Sequence, residues 1–293
     1  MSKEKYFAET ELILTSENRV YHINLKDEDI ADDVIVVGDQ GRVEQISKFF
    51  SKVEFKTTHR EFVTHTGIYK GKRITVLSTG IGTDNIDIVL NELDAAVNID
   101  PQTRKEKDTK RKLNIIRLGT SGSLQEDIPV NGLVVSSHGI GLDGLLNFYQ
   151  SWDKVCENEI SEAFIKHTDW SVNLPYPYCV PANKDLFEKF KTGNYFGITA
   201  TAPGFYGPQG RQLRLSASKP DLNEFLTSFR YQEHRISNFE METSALYGLG
   251  TLLGHRCLTV CVIIANRVKK EFTKDYTKSV DLLISDCLER LTS

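Results

Sequence analysis

The sequence predicts an α/β domain in which helices are layered on a largely parallel central sheet. Short apolar runs of strand length alternate with segments of helical character, the rhythm of strand–helix–strand units. Several of those runs end in glycine-bearing turns, and open sheets of this kind gather ligands at the carboxyl ends of their strands. One run, 257–265 (CLTVCVIIA), is almost continuously apolar and β-branched, as expected of a strand covered on both faces.

In chain order, residues 33–38 (DVIVVG) form the first expected strand, followed by a glycine turn and a helix over 41–50. Residues 72–78 (KRITVLS) repeat the theme, with the turn Thr79-Gly80-Ile81-Gly82 and a helix to about Val97. A third strand, 113–118 (LNIIRL), is expected to end in the turn Gly119-Thr120-Ser121-Gly122, and 132–137 (GLVVSS) is a fourth. Residues 98–112 (NIDPQTRKEKDTKRK) carry a dense charge cluster. A nucleic-acid patch is one reading of it, and a solvated, mobile surface insertion is the better one. Residues 150–178 are aromatic-rich without a clean period, so no element is assigned there.

With 293 residues, no internal repeat and no linker rich in Pro, Gly or Ser, a single domain over 1–293 is expected. The chain is 40% hydrophobic and 26% charged, with a formal net charge of −4. So mild an acidity exerts no long-range pull on nucleic acid or an anionic membrane, and neither is an expected partner. No apolar run reaches the length of a membrane span, and the first residues lack an apolar signal core. Cys156, Cys179, Cys257, Cys261 and Cys287 form an odd set without metal-ligand spacing to histidine. Cys257 and Cys261, four apart in an apolar stretch, suit buried thiols better than ligands, and the chain reads as a reduced, cytoplasmic protein with no metal.

The stretch Phe205-Tyr206-Gly207-Pro208-Gln209-Gly210-Arg211 carries the chemistry most directly. Phe205 offers an aromatic face for a planar ligand. Gln209 offers an amide donor and a carbonyl acceptor, matching the N3–H and O4 edge of uracil. Arg211 adds a permanently charged fork for negative charge developing on a carbonyl oxygen. Taken alone, the segment favours an ordinary polar surface turn. Arg117 lies inside an apolar strand, where burial is costly without an anion. A structural ion pair is the default for one such arginine. Three arginines (Arg42, Arg60 and Arg117), two of them near glycine turns, favour a phosphate cradle. Neither turn matches the P-loop or dinucleotide fingerprints. Glu240 and Glu242 stand at the entry to a helix, where capping is the simpler role. The other role is for one of them to accept a pair of sugar hydroxyls, with Met241 against the ribose face.

Together these segments, over about 20–267, resemble the nucleoside phosphorylase-I family. The resemblance implies a single-domain, three-layer phosphorylase/hydrolase-like fold with a central twisted mixed sheet flanked by helices. It also implies a homodimer at minimum, with a hexamer as the larger alternative. His22, in Val20-Tyr21-His22-Ile23-Asn24-Leu25, would reach a neighbouring subunit's ribose 5′-hydroxyl, and Arg60 would lend a phosphate contact across the dimer. Gly38 and Arg42 fall on the first phosphate loop, and Arg117 and Thr120 on the second, with Thr120 also near the ribose. Glu240, Met241 and Glu242 match the ribose-binding triplet, whose last glutamate holds the 2′ and 3′ hydroxyls. Phe205, Gln209 and Arg211 match the pyrimidine-recognising triad, the most specific of these motifs, which purine-cleaving relatives generally lack.

The implied reaction is phosphorolysis of uridine to uracil and ribose 1-phosphate, with Arg117 and Arg211 as catalytic residues. Inorganic phosphate is a co-substrate, and no cofactor is implied. Two departures stand out: Val37 and Gln40 replace the usual prolines of the first phosphate loop. Asn85 stands where a serine would join Glu61 and Ile81 in the potassium site of some bacterial relatives, so no metal is placed. The aspartate that purine-cleaving relatives carry after the last core strand is missing from Ala265-Asn266-Arg267. The alternatives are a purine nucleoside phosphorylase, a hydrolytic nucleosidase of the same fold, and a catalytically silent nucleoside-binding protein.

Overall fold

Residues 6–293 are described by a computed structural model. The strands are β1 (Asp33–Val37), β2 (Lys52–His59), β3 (Phe62–Tyr69), β4 (Lys72–Ser78), β5 (Ile99–Asp100), β6 (Lys105–Glu106), β7 (Asn114–Ser123), β8 (Leu133–Gly141), β9 (Tyr178–Pro181), β10 (Tyr195–Thr201), β11 (Arg230–Tyr231), β12 (His234–Glu240), β13 (Arg256–Asn266) and β14 (Glu271–Phe272). The helices are α1 (Gln40–Ser47), α2 (Thr83–Asn98), α3 (Asn158–Thr168), α4 (Lys184–Lys191), α5 (Leu222–Ser228), α6 (Thr243–Leu252) and α7 (Thr277–Thr292).

Successive strand side chains point to opposite faces, so each apolar run feeds two cores. Val34, Val36, Leu77, Ile115 and Cys257 pack on one side against α2 and α6 through Ile86, Leu90, Leu93, Leu246 and Leu249. Ile35, Val37, Val76, Ile116, Leu118, Leu258 and Val260 pack on the other against Val43, Ile46, Phe190, Leu283 and Leu288 of α1, α4 and α7. These are the three expected layers. The main sheet runs β11-β12-β10-β8-β13-β7-β1-β4-β3-β2. It is mixed: β4–β1–β7–β13 and β8–β10–β12 are parallel, and β8–β13 and the β2–β3–β4 meander are antiparallel. In addition β12 returns to β7, pairing Phe239 with Gly122, which closes that part of the sheet on itself. The closure brings the carboxyl ends of β7 and β12 together, and the site forms there.

Three local expectations need correction. Gly119 to Gly122 is not a turn but the second half of β7. β13 pairs with β7 through all four residues and β12 adds from the other side at Gly122 and Ser123, so the ladder bonds outweigh the glycines. No helix follows β7 directly; the next element is β8. The first helix begins at Gln40 and ends at Ser47, short of Phe50, with turns completing the segment. The charged stretch 98–112 is not a loose insertion: β5 and β6 form a hairpin whose basic side chains are tied to earlier segments. Lys107 and Arg111 both pair with Asp27, and Arg104 donates to Phe7 O and Ala8 O. The unassigned 150–178 holds a 3₁₀ turn, Trp152–Val155, helix α3 and an extended approach to β9. Among the described residues no helix is long and apolar enough to cross a membrane.

Candidate active site

The chain leaves β1 at Val37 and turns at Gly38, where an added Cβ would stand 3.3 Å from Gly80 O. Two turns, one after β1 and one after β4, are thus pressed together. Asp39 caps α1 by accepting from Gly41 N at 2.9 Å. That cap, rather than a proline, shapes the loop in which Val37 and Gln40 depart from the family pattern. One turn into α1, Arg42 is buried and donates from Nη1 to Leu118 O at 3.1 Å. Burial lowers its pKa from the ordinary value, with Asp39 opposing and the charge of Arg117 adding to the shift.

Arg117, midway along β7, is enclosed by carboxylates from the end of β12. Its Nη2 pairs closely with Glu242, and its Nη1 lies 3.2 Å from Glu240 Oε2 and 3.5 Å from Cys261 Sγ. Its buried Nε has no hydrogen-bond partner among the described residues. An unpaired buried donor on a cation costs free energy, and Arg117 also lines a large cavity, so an anion there would meet a cation with unmet hydrogen-bonding capacity. Burial alone would lower the Arg117 pKa, but the two carboxylates outweigh it and raise it. Glu242 is pushed up to about 7 by burial, with Arg117 opposing and the charge of Glu240 adding. One guanidinium faces two carboxylates, so the cluster keeps Arg117 charged and makes one carboxylate easier to protonate.

The two glutamates do different work. Glu240 Oε1 accepts from Thr201 Oγ1 at 2.8 Å and from Thr243 N at 3.0 Å. Its Oε2 accepts from Glu242 N at 3.0 Å and faces Arg117. Glu240 therefore does what capping predicted, fixing the β12–α6 junction, and its two oxygens are engaged. Glu242 Oε1 takes only the amide of Gly82, at 2.8 Å. Glu242 is thus the member of the ribose triplet better placed to exchange partners.

On the opposite wall, a 3₁₀ turn over Gly207–Gln209 ends at Gly210, which adopts φ of +67°. The turn throws Arg211 back over Phe205, with Cζ 3.7 Å from the ring centroid. Arg211 Nη1 donates to Phe205 O at 2.7 Å and to Gln209 Oε1. That bond orients the Gln209 amide, leaving its NH₂ as the free donor, so the even donor–acceptor offer expected from the sequence becomes donor-weighted. Arg267, just past β13, donates from Nη2 to Gln209 O at 3.1 Å. Burial first, then the Arg267 charge, pulls Arg211 down to about 10. Sequence reasoning noted Arg267 only as part of a segment lacking an aspartate. Its position at the carboxyl end of the last core strand was the available signal.

One cavity of about 980 Å³ gathers Gly38, Arg42, Arg117, Thr120, Phe205, Gln209, Arg211, Glu240, Met241 and Glu242, with Arg267, Phe272 and Tyr276 beside them. His22 and Arg60 do not line it. They lie together on another patch: Arg60 Nη2 donates to Tyr21 Oη at 3.2 Å, and the Tyr21 and His22 rings are 4.9 Å apart. Among the described residues no group of three or more His, Cys, Asp or Glu is arranged to hold a metal ion.

A model of the phosphorylase superfamily matches residues 32–291. The chain belongs to this superfamily. It is 32% identical to the uridine phosphorylase of Thermococcus kodakarensis, over 97% of this chain and 91% of that protein. It is 28% identical to the uridine phosphorylase of Haemophilus influenzae, over 88% and 90%. It is also 26% identical to a DeoD-type purine nucleoside phosphorylase of Buchnera aphidicola, over 92% and 97%. A solved Trypanosoma brucei nucleoside phosphorylase, described as showing uridine phosphorylase activity, superposes with a TM-score of 0.83 at 31% identity. That match covers 96% of this chain and 99% of the other. The superfamily fold and the central mixed sheet that the resemblance implied agree with these relatives.

Proposed function

We propose that this chain is a pentosyltransferase that cleaves uridine reversibly with phosphate, giving uracil and ribose 1-phosphate. The observation that carries the reading is the joining, in one cavity, of an arginine corner and the Phe205–Gln209–Arg211 loop. The uridine phosphorylase relatives in Thermococcus and Trypanosoma support it.

Phosphate binds in the corner formed by Gly38, Arg42 and Arg117. Ribose lies against Met241 and Thr120, with its 2′ and 3′ hydroxyls on Glu242. The base stacks on Phe205 and takes hydrogen bonds from Gln209 and Arg211. A phosphate oxygen attacks C1′ as the C1′–N1 bond breaks, and the bonding electrons leave with uracil and spread onto its carbonyl oxygens. Holding nucleophile and sugar in one geometry lowers the barrier by removing the entropy cost of the encounter. Arg211, backed by Arg267, and the Gln209 amide are fixed donors aimed at the developing charge. Such a donor is typically worth about 2.7–4 kcal/mol. No side chain has to protonate the pyrimidine.

His22 and Arg60 serve a neighbouring copy, so the minimum active unit is a homodimer, and further assembly to a hexamer is compatible with this. Their shared patch, outside the chain's own cavity, supports that division.

The deciding assay is uracil release from uridine with and without phosphate or arsenate. Release only with the anion is expected; equal release in its absence identifies a hydrolase instead. Binding of uridine with no product in either buffer identifies a silent binder. Cytidine, with an amino group where uracil has O4, should be a poor substrate, because donor-lined sites discriminate by about 10⁴-fold or more against analogues that leave them unpaired. Cleavage of inosine at a comparable rate would overturn the pyrimidine assignment. Mixing His22→Ala chains, weakened on uridine, with inactive Arg211→Ala chains under subunit exchange should raise uridine cleavage above that of either variant alone, and failure to do so refutes the shared site.

A further inference from the structure

The charged hairpin has a place in this chemistry that its composition conceals. Residues 6–25, which carry His22, contain no helix and only isolated bridges, Tyr6 with Lys105 and Leu14 with Val20. A segment without its own ladder is positioned by what grips it. Val20, Ile23 and Leu25 seat its far end in the core, but its earlier part packs incompletely, since a cavity of about 260 Å³ lies between Leu12, Leu14 and Val20 on one side and Ala95, Ile99 and Pro101 on the other. Polar contacts from the hairpin span that gap.

Arg104 holds the start of the arm. It adopts a φ of +54° at the hairpin turn, and its guanidinium collects three arm carbonyls. Nε donates to Phe7 O at 2.7 Å and Nη2 to Ala8 O at 3.0 Å, with a further close bond to Leu12 O. The Phe7 amide returns a bond to Arg104 O at 2.9 Å. Lys107 and Arg111 hold the other end through Asp27: Lys107 Nζ lies 2.6 Å from Asp27 Oδ2, and Arg111 also takes Ile30 O at 3.1 Å. Asp27 opens the 3₁₀ turn Asp27–Asp29. Asp29 in turn pairs with Arg19, whose Nη1 donates to Asn24 O at 3.2 Å. Between these two grips sits His22, with its backbone N–H and Nδ1 on the Glu92 carboxylate.

We propose that the hairpin 98–112 is a splint for the arm that carries His22, with Arg104 as its main positioning residue. The proposal rests on the reading that His22 meets the ribose 5′-hydroxyl in a neighbouring copy's site. Arg104 touches no substrate; it sets the fraction of time the arm stands in the docking geometry. Apparent affinity scales with that fraction, so a fall to about one tenth weakens uridine binding about tenfold.

The test compares uridine with 5′-deoxyuridine, which lacks the hydroxyl that His22 would meet, in the full-length enzyme with phosphate. Arg104→Ala is expected to raise KM for uridine about tenfold while KM for 5′-deoxyuridine and for phosphate hold, so that the preference between the two nucleosides shrinks. Equal losses on both nucleosides, or no loss on either, overturn the splint. Should Arg104→Ala fail to fold, Arg104→Lys keeps one charged donor: a partial, uridine-selective loss supports the proposal, and an unselective one overturns it. His22→Ala separates the two levels of the argument. It should abolish the preference for uridine by itself, and adding Arg104→Ala to it should reduce that ratio no further. If His22→Ala leaves the preference intact, the role of His22 is wrong and the splint falls with it. If His22→Ala abolishes the preference but Arg104→Ala does not reduce it, only the splint is wrong.

Discussion

Replacing Arg117 by methionine removes the one cation between Glu240 and Glu242 while keeping an apolar stem in the strand. Both carboxylates are buried, at 4% exposure each, so neither gains water in compensation. Removing one partner of a buried ion pair costs about 3–5 kcal/mol, because the other charge is left uncompensated. With an unfolding entropy of about 2.1 cal/mol/K per residue, a chain of 293 residues has about 0.6 kcal/mol/K, so Tm should fall by about 5–8 °C. The loss has a definite pH dependence. In the native protein Glu242 is already raised from 4.5 to about 7, with Arg117 opposing the rise. Without Arg117 its pKa climbs further. The folded state then keeps a proton that the unfolded chain releases above about 4.5, so stability falls as pH rises through that window. The window closes near 7 in the native protein and extends higher in the variant. Thermal unfolding at matched protein concentration should therefore show a larger gap between native and Arg117→Met protein at pH 8.5 than at pH 6. A gap that is equal at both pH values, or below about 1 °C, refutes the assignment of Arg117 as the counter-charge of a strained carboxylate pair.

Three further outcomes follow from the same geometry. A Cβ added at Gly119 would lie 2.1 Å from Arg117 Nη1 and 3.0 Å from Cys261 Sγ. Gly119→Ala should therefore displace the guanidinium, costing about 1–3 kcal/mol in denaturant melts and raising KM for phosphate more than KM for uridine. Arg267→Met removes the donor on Gln209 O and the like charge beside Arg211, and should lower kcat/KM for uridine about tenfold or more while KM for phosphate stays level. Burial raises all five thiols, Cys156 to about 12 and Cys261 to about 11, so iodoacetamide at pH 8 should leave the native protein unlabelled by mass spectrometry. Denatured protein should take up label at all of them, and rapid native labelling of half-buried Cys156 would count against its assigned environment.

Much of the site was legible because its parts are local. The Phe205–Arg211 loop holds its aromatic, amide and guanidinium within one turn, and the structure packs Arg211 onto Phe205 and Gln209 as that spacing allows. The first strand-to-helix turn was likewise visible, since Gly38, the Asp39 cap and Arg42 follow one another in sequence. What was missed depends on distant partners. Gly119 to Gly122 looked like a turn because four small residues in a row usually make one. They remain strand because β13, more than a hundred residues later, pairs with all four of them and β12 joins from the other side at Gly122.

The sequence by itself determined the layered α/β architecture, through side-chain period and turn chemistry that act over a few residues. It also determined the chemical types present: arginines for an anion, a carboxylate pair, and a pyrimidine-matching loop. Which of these groups meet follows from the folded arrangement. It placed Arg117 between Glu240 and Glu242, gave Glu240 to the helix and left Glu242 freer, and brought in Arg267 behind Gln209. It also set His22 and Arg60 on a patch apart from the chain's own cavity and turned a run of charge into a hairpin gripping the arm. Such pairings are set by strand order and sheet closure, which join residues far apart in the chain, and no local period records them.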